Sequence, residues 1–243
     1  MQLNKLMQLL KDNARAEGPA PIRADATPVD GHVYINDVID SSWGASASAL
    51  ITALAGLGDK VAHVHINSPG GDVFEARAMA AALAAYPGQV VCHIDGICAS
   101  AATYLALAGS EVRMTDGGLF MVHNSWTLAY GNKNELRDTA NLLDKIDGTI
   151  SADYMRKTGA SAEQVATWMD STTWFTAQEA LDAGFIDAID PNSKQDKAQA
   201  RWNLSAYPNA PTQAESPPEP DLVALAAQQI QLNRNRMRLL TPI

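Results

Sequence analysis

Apolar residues recur with two different periods along this chain, and the changes of period divide it into elements. Residues 1–18 carry Leu3, Leu6, Met7 and Leu10 at helical spacing before Gly18, which predicts a short amphipathic helix. The next stretch, GPAPIRADATPVDG, is rich in proline and reads as a linker. From His32 the run HVYINDVI has strand character, SSWGASASALITALAGLG is helical, and KVAHVHINS is a strand that breaks at PGGD. VFEARAMAAALAAYPG predicts an alanine-rich helix closed by Pro-Gly, and QVVCHID a further strand. The stretch HIDGICASAATYLALAGS then starts small and kinked and continues as an apolar helix, with Ser100 at its mouth.

EVRMTD and GLFMVHNSW follow as two short strand candidates. A long polar-faced helix is predicted from 132 to Gly159, with Leu136, Ala140, Leu143, Ile146 and Ile150 forming one buried stripe. SAEQVATWMD is another helix, with Ser161 and Gln164 placed as a capping box. WFTAQEALDAGFIDAI reads as turn, short helix, glycine and strand. Strand and helix alternate, which predicts an α/β fold of βαβ units around a largely parallel sheet. Three regions result: a helix and Pro-rich linker over 1–28, a domain over 29–191, and a polar tail over 192–243. That tail contains the linker APTQAESPPEPD and ends in an amphipathic helix, DLVALAAQQIQLNRNRMRLL.

Composition narrows the function classes. A net charge of −9 argues against a nucleic-acid binder, which needs clustered lysine and arginine for phosphate contacts. No apolar run reaches 18 residues, so no membrane span is predicted. The N-terminus lacks a long apolar region with a cleavage site, which is read as no signal peptide and a cytoplasmic chain. Cys92 and Cys98 sit among apolar neighbours and read as core thiols. No metal-ligand cluster, phosphate loop or cofactor fingerprint is present, so neither a metal nor a cofactor is expected.

Three features bear on chemistry. INSPGGD, residues 66–72, ends a strand with side-chain-free amides; it is either a tight βα turn or an oxyanion hole. Ser100 is either a helix cap or packing serine, or a nucleophile that needs a base within hydrogen-bond reach. His123, in LFMVHNSW, follows a strand that could return beside the Ser100 helix. A lone histidine there is more often structural.

Taken in order, INSPGGDVFEARAM, DGICASAATYLALAG, MVHNSW and WFTAQEALDAGFID resemble the Clp-type serine peptidases over roughly residues 30–190. YINDVIDSSWGASA, the segment YGNKNELRDTANLLDKIDGTISADYMRKTG and the tail RWNLSAYPNAP are similar to the phage branch, the Clp-related head maturation (prohead) proteases. The resemblance implies a Clp/crotonase-type β-α superhelix and an ATP-independent serine endopeptidase. It makes Ser100 the nucleophile, His123 the general base, and the Gly70 and Ala101 amides the oxyanion hole. It implies peptide or protein substrates, capsid or scaffold proteins and the chain's own tails among them. It further implies a ring-shaped homo-oligomer, in a bacterial host cell or a phage prohead. The family's acidic position falls on Thr172. Three readings stand there: Asp170, two residues earlier, orients the imidazole and is preferred; Thr172 does so; or Ser100 and His123 act as a dyad. Two other functions remain open, a catalytically silent assembly subunit and a crotonase-like acyl-CoA enzyme.

Overall fold

The alternating pattern folds as a mixed α/β structure. In the computed structural model, residues 22–27, 29–191, 202–205 and 207–211 are described. The helices expected over 1–18 and 221–240, and most of the polar tail, lie outside them. The elements are β1 Arg23–Ala26, β2 Asp30–Ile35, α1 Ala47–Ala55, β3 Val61–Ser68, α2 Val73–Ala84, β4 Val90–Ala99, α3 Ala102–Leu107, β5 Glu111–Thr115, β6 Leu119–Val122, α4 Lys133–Thr158, α5 Ala162–Asp170, β7 Thr173–Thr176, α6 Ala177–Asp182 and β8 Ala188–Asp190.

The eight strands form one sheet in the order β1-β2-β3-β4-β5-β8, with β6 joined to β4 and β7 joined to β6. Every pairing from β2 to β8 along that path is parallel. The long strand β4 makes the site possible. Its first half pairs with β5 through Val91–Ile94, and its second half with β6 through Ile97–Ala99, both parallel. A register irregularity on the β3 side, between Ile66 and Ser68, separates the two halves. The carboxyl ends of β3, β4 and β6 therefore lie side by side, the edge at which open parallel sheets place their chemistry.

One face of the sheet is apolar and covered by the helices. Val33, Ile35, Val64, Ile66, Cys92 and Ile94 alternate inward from β2, β3 and β4 and are fully buried with Leu50, Met79, Leu83 and Leu105. Both cysteines are free and buried, and burial pushes the Cys92 thiol up to about 12, as expected of inert core thiols. The opposite face of β2–β4 carries the other four histidines as a half-buried stack. His32 lies against His63 with ring centroids 5.0 Å apart, and His65 against His93 at 4.8 Å. His32 Nδ1 and His65 Nε2 are 3.1 Å apart, and His65 Nδ1 donates to Asp95 at 3.0 Å. These contacts account for every histidine except His123.

Three expectations change. The supposed linker holds β1, an antiparallel edge strand on β2; pairing with an existing edge, not sequence pattern, makes a strand of RADA. The α4 stripe is buried only in its second half. Ile150 is buried and Leu143 and Ile146 are half-buried, whereas Ala140 is exposed and Leu136 is 44% exposed. Third, the start of the tail is not free of the domain. Trp202 and Leu204 are 2% and 5% exposed, packed with Ile97, Ala99 and Met121 at the carboxyl ends of β4 and β6. At the start of α5 Ser161 accepts from the Gln164 N–H, which is one of the two bonds of the expected capping box.

Candidate active site

Ser100 follows the last residue of β4 and His123 the last residue of β6. Because these strands are paired in parallel, Ala99 opposite Met121, the two side chains emerge at one edge. The Ser100 N–H donates to the Met121 carbonyl at 2.9 Å, which fixes the offset. Ser100 Oγ and His123 Nε2 are 2.7 Å apart, the reach a nucleophile and its base require.

The backbone at Ser100 is unusual for its residue type, with φ of +56°. A non-glycine residue pays for that conformation, of order 1–3 kcal/mol, and keeps it only when its surroundings enforce it. Here they do. The Thr103 hydroxyl and N–H both bond the Ser100 carbonyl, at 2.7 and 3.1 Å, and the Tyr154 hydroxyl on α4 holds Thr103 at 2.7 Å. Strand, sharp elbow and helix then thrust the hydroxyl out of the sheet edge. The reading of Ser100 as a helix cap does not describe this geometry. Ala101 occupies the cap position of α3, and no side chain caps that helix.

The third strand end supplies the turn Ser68-Pro69-Gly70-Gly71. Gly70 adopts φ of +95°, and a Cβ built on it would lie 2.7 Å from Ser100 Cβ and 3.0 Å from the Ala101 nitrogen. Only glycine lets the turn approach the serine this closely. The Ala101 N–H makes no hydrogen bond among the described residues, whereas the Gly70 N–H donates to Ser68 Oγ at 3.2 Å.

Burial alone lowers the His123 pKa to about 4, since a charged imidazole is disfavoured away from water. The ring is therefore neutral, with a basic nitrogen available, down to that pH. Among the described residues no carboxylate forms an ion pair with it. Asp170 is exposed at the end of α5, and its Oδ1 accepts from Asn124 Nδ2 at 2.7 Å. It braces the residue after His123, not the imidazole. Thr172 is 8% exposed with φ of +51°, and its N–H donates to Met169 O at 3.2 Å. Asp170→Asn is accordingly expected to change kcat/KM by less than about threefold; loss of a triad carboxylate costs about 10⁴. A fall of that size in steady-state peptide hydrolysis would place the carboxylate on His123 during turnover.

Beside the pair opens a cavity of about 390 Å³. Val73, Ala101, Leu143, Ile146 and Ile150 contribute apolar lining, and Gly70, Gly71 and Ser125 line it as well. The Ser125 N–H is fixed by Asp147 of α4 at 2.6 Å. One lining residue was not anticipated as part of the site. Tyr207, from the tail, donates its hydroxyl to the Pro69 carbonyl at 2.9 Å and sets its ring edge-on to His123, centroids 5.5 Å apart. The only sequence signal for it is the pair of aromatics in WNLSAY within an otherwise polar stretch.

Comparison with known proteins follows the same boundaries. The Clp protease family profile matches residues 29–193. The chain is similar to the ATP-dependent Clp protease proteolytic subunit 1 of Leifsonia xyli subsp. xyli, 28% identical over 156 residues, 63% of this chain and 79% of the relative. It is 30% identical over 166 residues to the corresponding subunit 1 of Protochlamydia amoebophila, covering 65% of this chain and 79% of the relative. With the proteolytic subunit 2 of Bifidobacterium longum it shares 29% identity over 128 residues, 52% of this chain and 62% of the relative.

Proposed function

The chain belongs to the Clp protease family, and we propose that it is a serine endopeptidase in which Ser100 is the nucleophile and His123 the general base. The observation that carries this reading is the 2.7 Å approach of Ser100 Oγ to His123 Nε2 at a strained elbow. His123 Nε2 takes the hydroxyl proton as Oγ bonds to the scissile carbonyl carbon, and the charge moves to the carbonyl oxygen. The Ala101 N–H, and the Gly70 N–H once turned toward it, stabilise that oxyanion. The imidazolium then returns its proton to the leaving amine as the C–N bond breaks. A water molecule, deprotonated by the same nitrogen, releases the acyl group from Ser100. No step consumes a nucleotide.

The apolar cavity supports a bulky aliphatic or aromatic side chain just before the scissile bond, with the substrate extended along the Gly70–Gly71 edge. The fold is proposed to be the Clp/crotonase-type superhelix, and the assembly a ring of identical subunits. Leu128, Tyr130, Leu136 and Leu142 are large apolar residues exposed on and just before the first half of α4, as an unpaired contact between subunits would leave them. The phage-like segments support capsid or scaffold proteins as substrates, in a prohead or its bacterial host. No helix among the described residues is long and apolar enough to cross a membrane.

A fluorophosphonate probe tests the reading directly. The wild-type protein is expected to be labelled on Ser100 and to hydrolyse a fluorogenic peptide with leucine or phenylalanine before the scissile bond. Both signals should vanish in Ser100→Ala. Labelling that survives the substitution, or an assembled wild type that neither labels nor cleaves, would favour the silent-subunit reading.

A further inference from the structure

The tail segment carrying Tyr207 lies beyond the family-matched residues, yet it is fastened to the active-site edge at several points. Trp202 is buried and its Nε1 reaches Asn67 Oδ1 at 3.4 Å, and Leu204 is buried beside it. Trp174 Nε1 donates to the Pro208 carbonyl at 3.1 Å, and Asn209 Nδ2 to the Ser171 carbonyl at 2.9 Å. Between these anchors Tyr207 spans the two walls of the catalytic cleft. Its hydroxyl is on Pro69, in the turn that touches Ser100, and its ring edge is on His123, which bonds Ser100 from the other side. A scissile carbonyl has to enter that same space, about 3 Å from Oγ.

The turn itself is held in a matching state. In the planar peptide joining Pro69 to Gly70, carbonyl and N–H point in opposite directions. The carbonyl is taken by Tyr207, and the N–H is directed to Ser68 Oγ. Ser68 is in turn committed to the Asp37 carbonyl at 2.6 Å. To offer its N–H to an oxyanion the Gly70 peptide has to rotate, and rotation breaks the bond from Tyr207.

We infer that residues 202–205 and 207–210 form an autoinhibitory strap, with Tyr207 covering Ser100 and latching the oxyanion turn in its withdrawn orientation. A substrate gains access only as the strap leaves. The inference rests on the peptidase reading of Ser100 and His123, and it adds that the free subunit is self-covered. Burial of Tyr207 raises its phenol pKa to about 12, so the hydroxyl remains a donor through the neutral range.

The test compares full-length wild type with Tyr207→Ala, Tyr207→Phe and Asn209→Ala. The readouts are the rate of fluorophosphonate labelling and the His123 pKa by NMR, with circular dichroism verifying the fold. Tyr207→Ala is expected to label at least about tenfold faster and to shift the His123 pKa from about 4 toward its ordinary value of about 6.5. Tyr207→Phe, which loses the latch but keeps the cover, should label at an intermediate rate. Asn209→Ala, which loosens an anchor only, should accelerate labelling in the same direction. Slower or unchanged labelling in a folded Tyr207→Ala protein overturns the inference, as does a His123 pKa that stays near 4. If the pKa rises while neither protein labels, the cover is upheld and the peptidase reading is what fails.

Discussion

Ser100→Gly is expected to abolish hydrolysis and yet leave a protein more stable than Ser100→Ala. Both substitutions remove the hydroxyl that His123 would activate, so kcat should fall by on the order of 10⁴- to 10⁶-fold in either. Both also leave His123 Nε2 without its 2.7 Å partner, and that cost cancels in the comparison. What differs is the backbone. The bonds from Met121 and Thr103 hold residue 100 at φ of +56° whatever its side chain. A Cβ in the left-handed region costs about 1–2 kcal/mol, against which glycine's extra freedom in the unfolded chain returns part. Urea unfolding should therefore place Ser100→Gly above Ser100→Ala by about 1 kcal/mol. Equal stabilities would mean that the elbow stores no strain and that its shape is incidental to the nucleophile.

That elbow also marks where the sequence ceases to be legible. Periodicity locates β3, β4 and β6, and their order is enough to bring INSPGG, Ser100 and MVHN to one edge once the strands are parallel. The left-handed turn at Ser100 leaves no such trace, because any residue type can be forced into it by neighbours distant in sequence, here Met121 and Tyr154. Periodicity also identifies a face without saying whether anything covers it. Leu136 and Ile150 belong to one helical stripe, but only the part of α4 near Tyr154 is buried in the core. Composition misleads in the opposite sense for Arg23–Ala26 and for Trp202–Leu204. Both lie in polar, Pro-flanked stretches, and both gain their order from an edge or an apolar patch that exists only in the folded domain. The position behind His123 is a different case. Alignment to a family pattern offers Thr172 or Asp170, and neither residue type specifies which way its loop turns. In the structure Asp170 is engaged by Asn124, while His123 owes its lowered pKa to burial alone. A neutral imidazole needs no carboxylate to accept a proton, but the imidazolium that follows is left to the cleft's polar groups and entering water. Under the proposed mechanism, a Ser100–His123 dyad would be slower than a triad without being inert.

Gly70→Ala should be severely damaging although it replaces neither Ser100 nor His123. A Cβ there would sit 2.6 Å from the Ala99 carbonyl oxygen and 2.7 Å from Ser100 Cβ, and the backbone is at φ of +95°. Neither neighbour is the end of a flexible chain, so the turn itself has to retreat. Strain and clash together should cost about 2–4 kcal/mol of stability. Retreat would also keep the Gly70 N–H from turning toward the proposed oxyanion, and losing one such donor lowers kcat by about 10²–10³. Gly58 separates the two causes. It also has positive φ, +72°, but nothing lies within 4 Å of its built Cβ. Gly58→Ala should therefore cost about 1 kcal/mol and leave kcat unchanged. Thermal unfolding and single-turnover acylation of the two variants, with activity normalised to folded protein, make the comparison. If Gly70→Ala keeps kcat within threefold of wild type, the turn contributes shape alone, and the oxyanion is held by Ala101 without it.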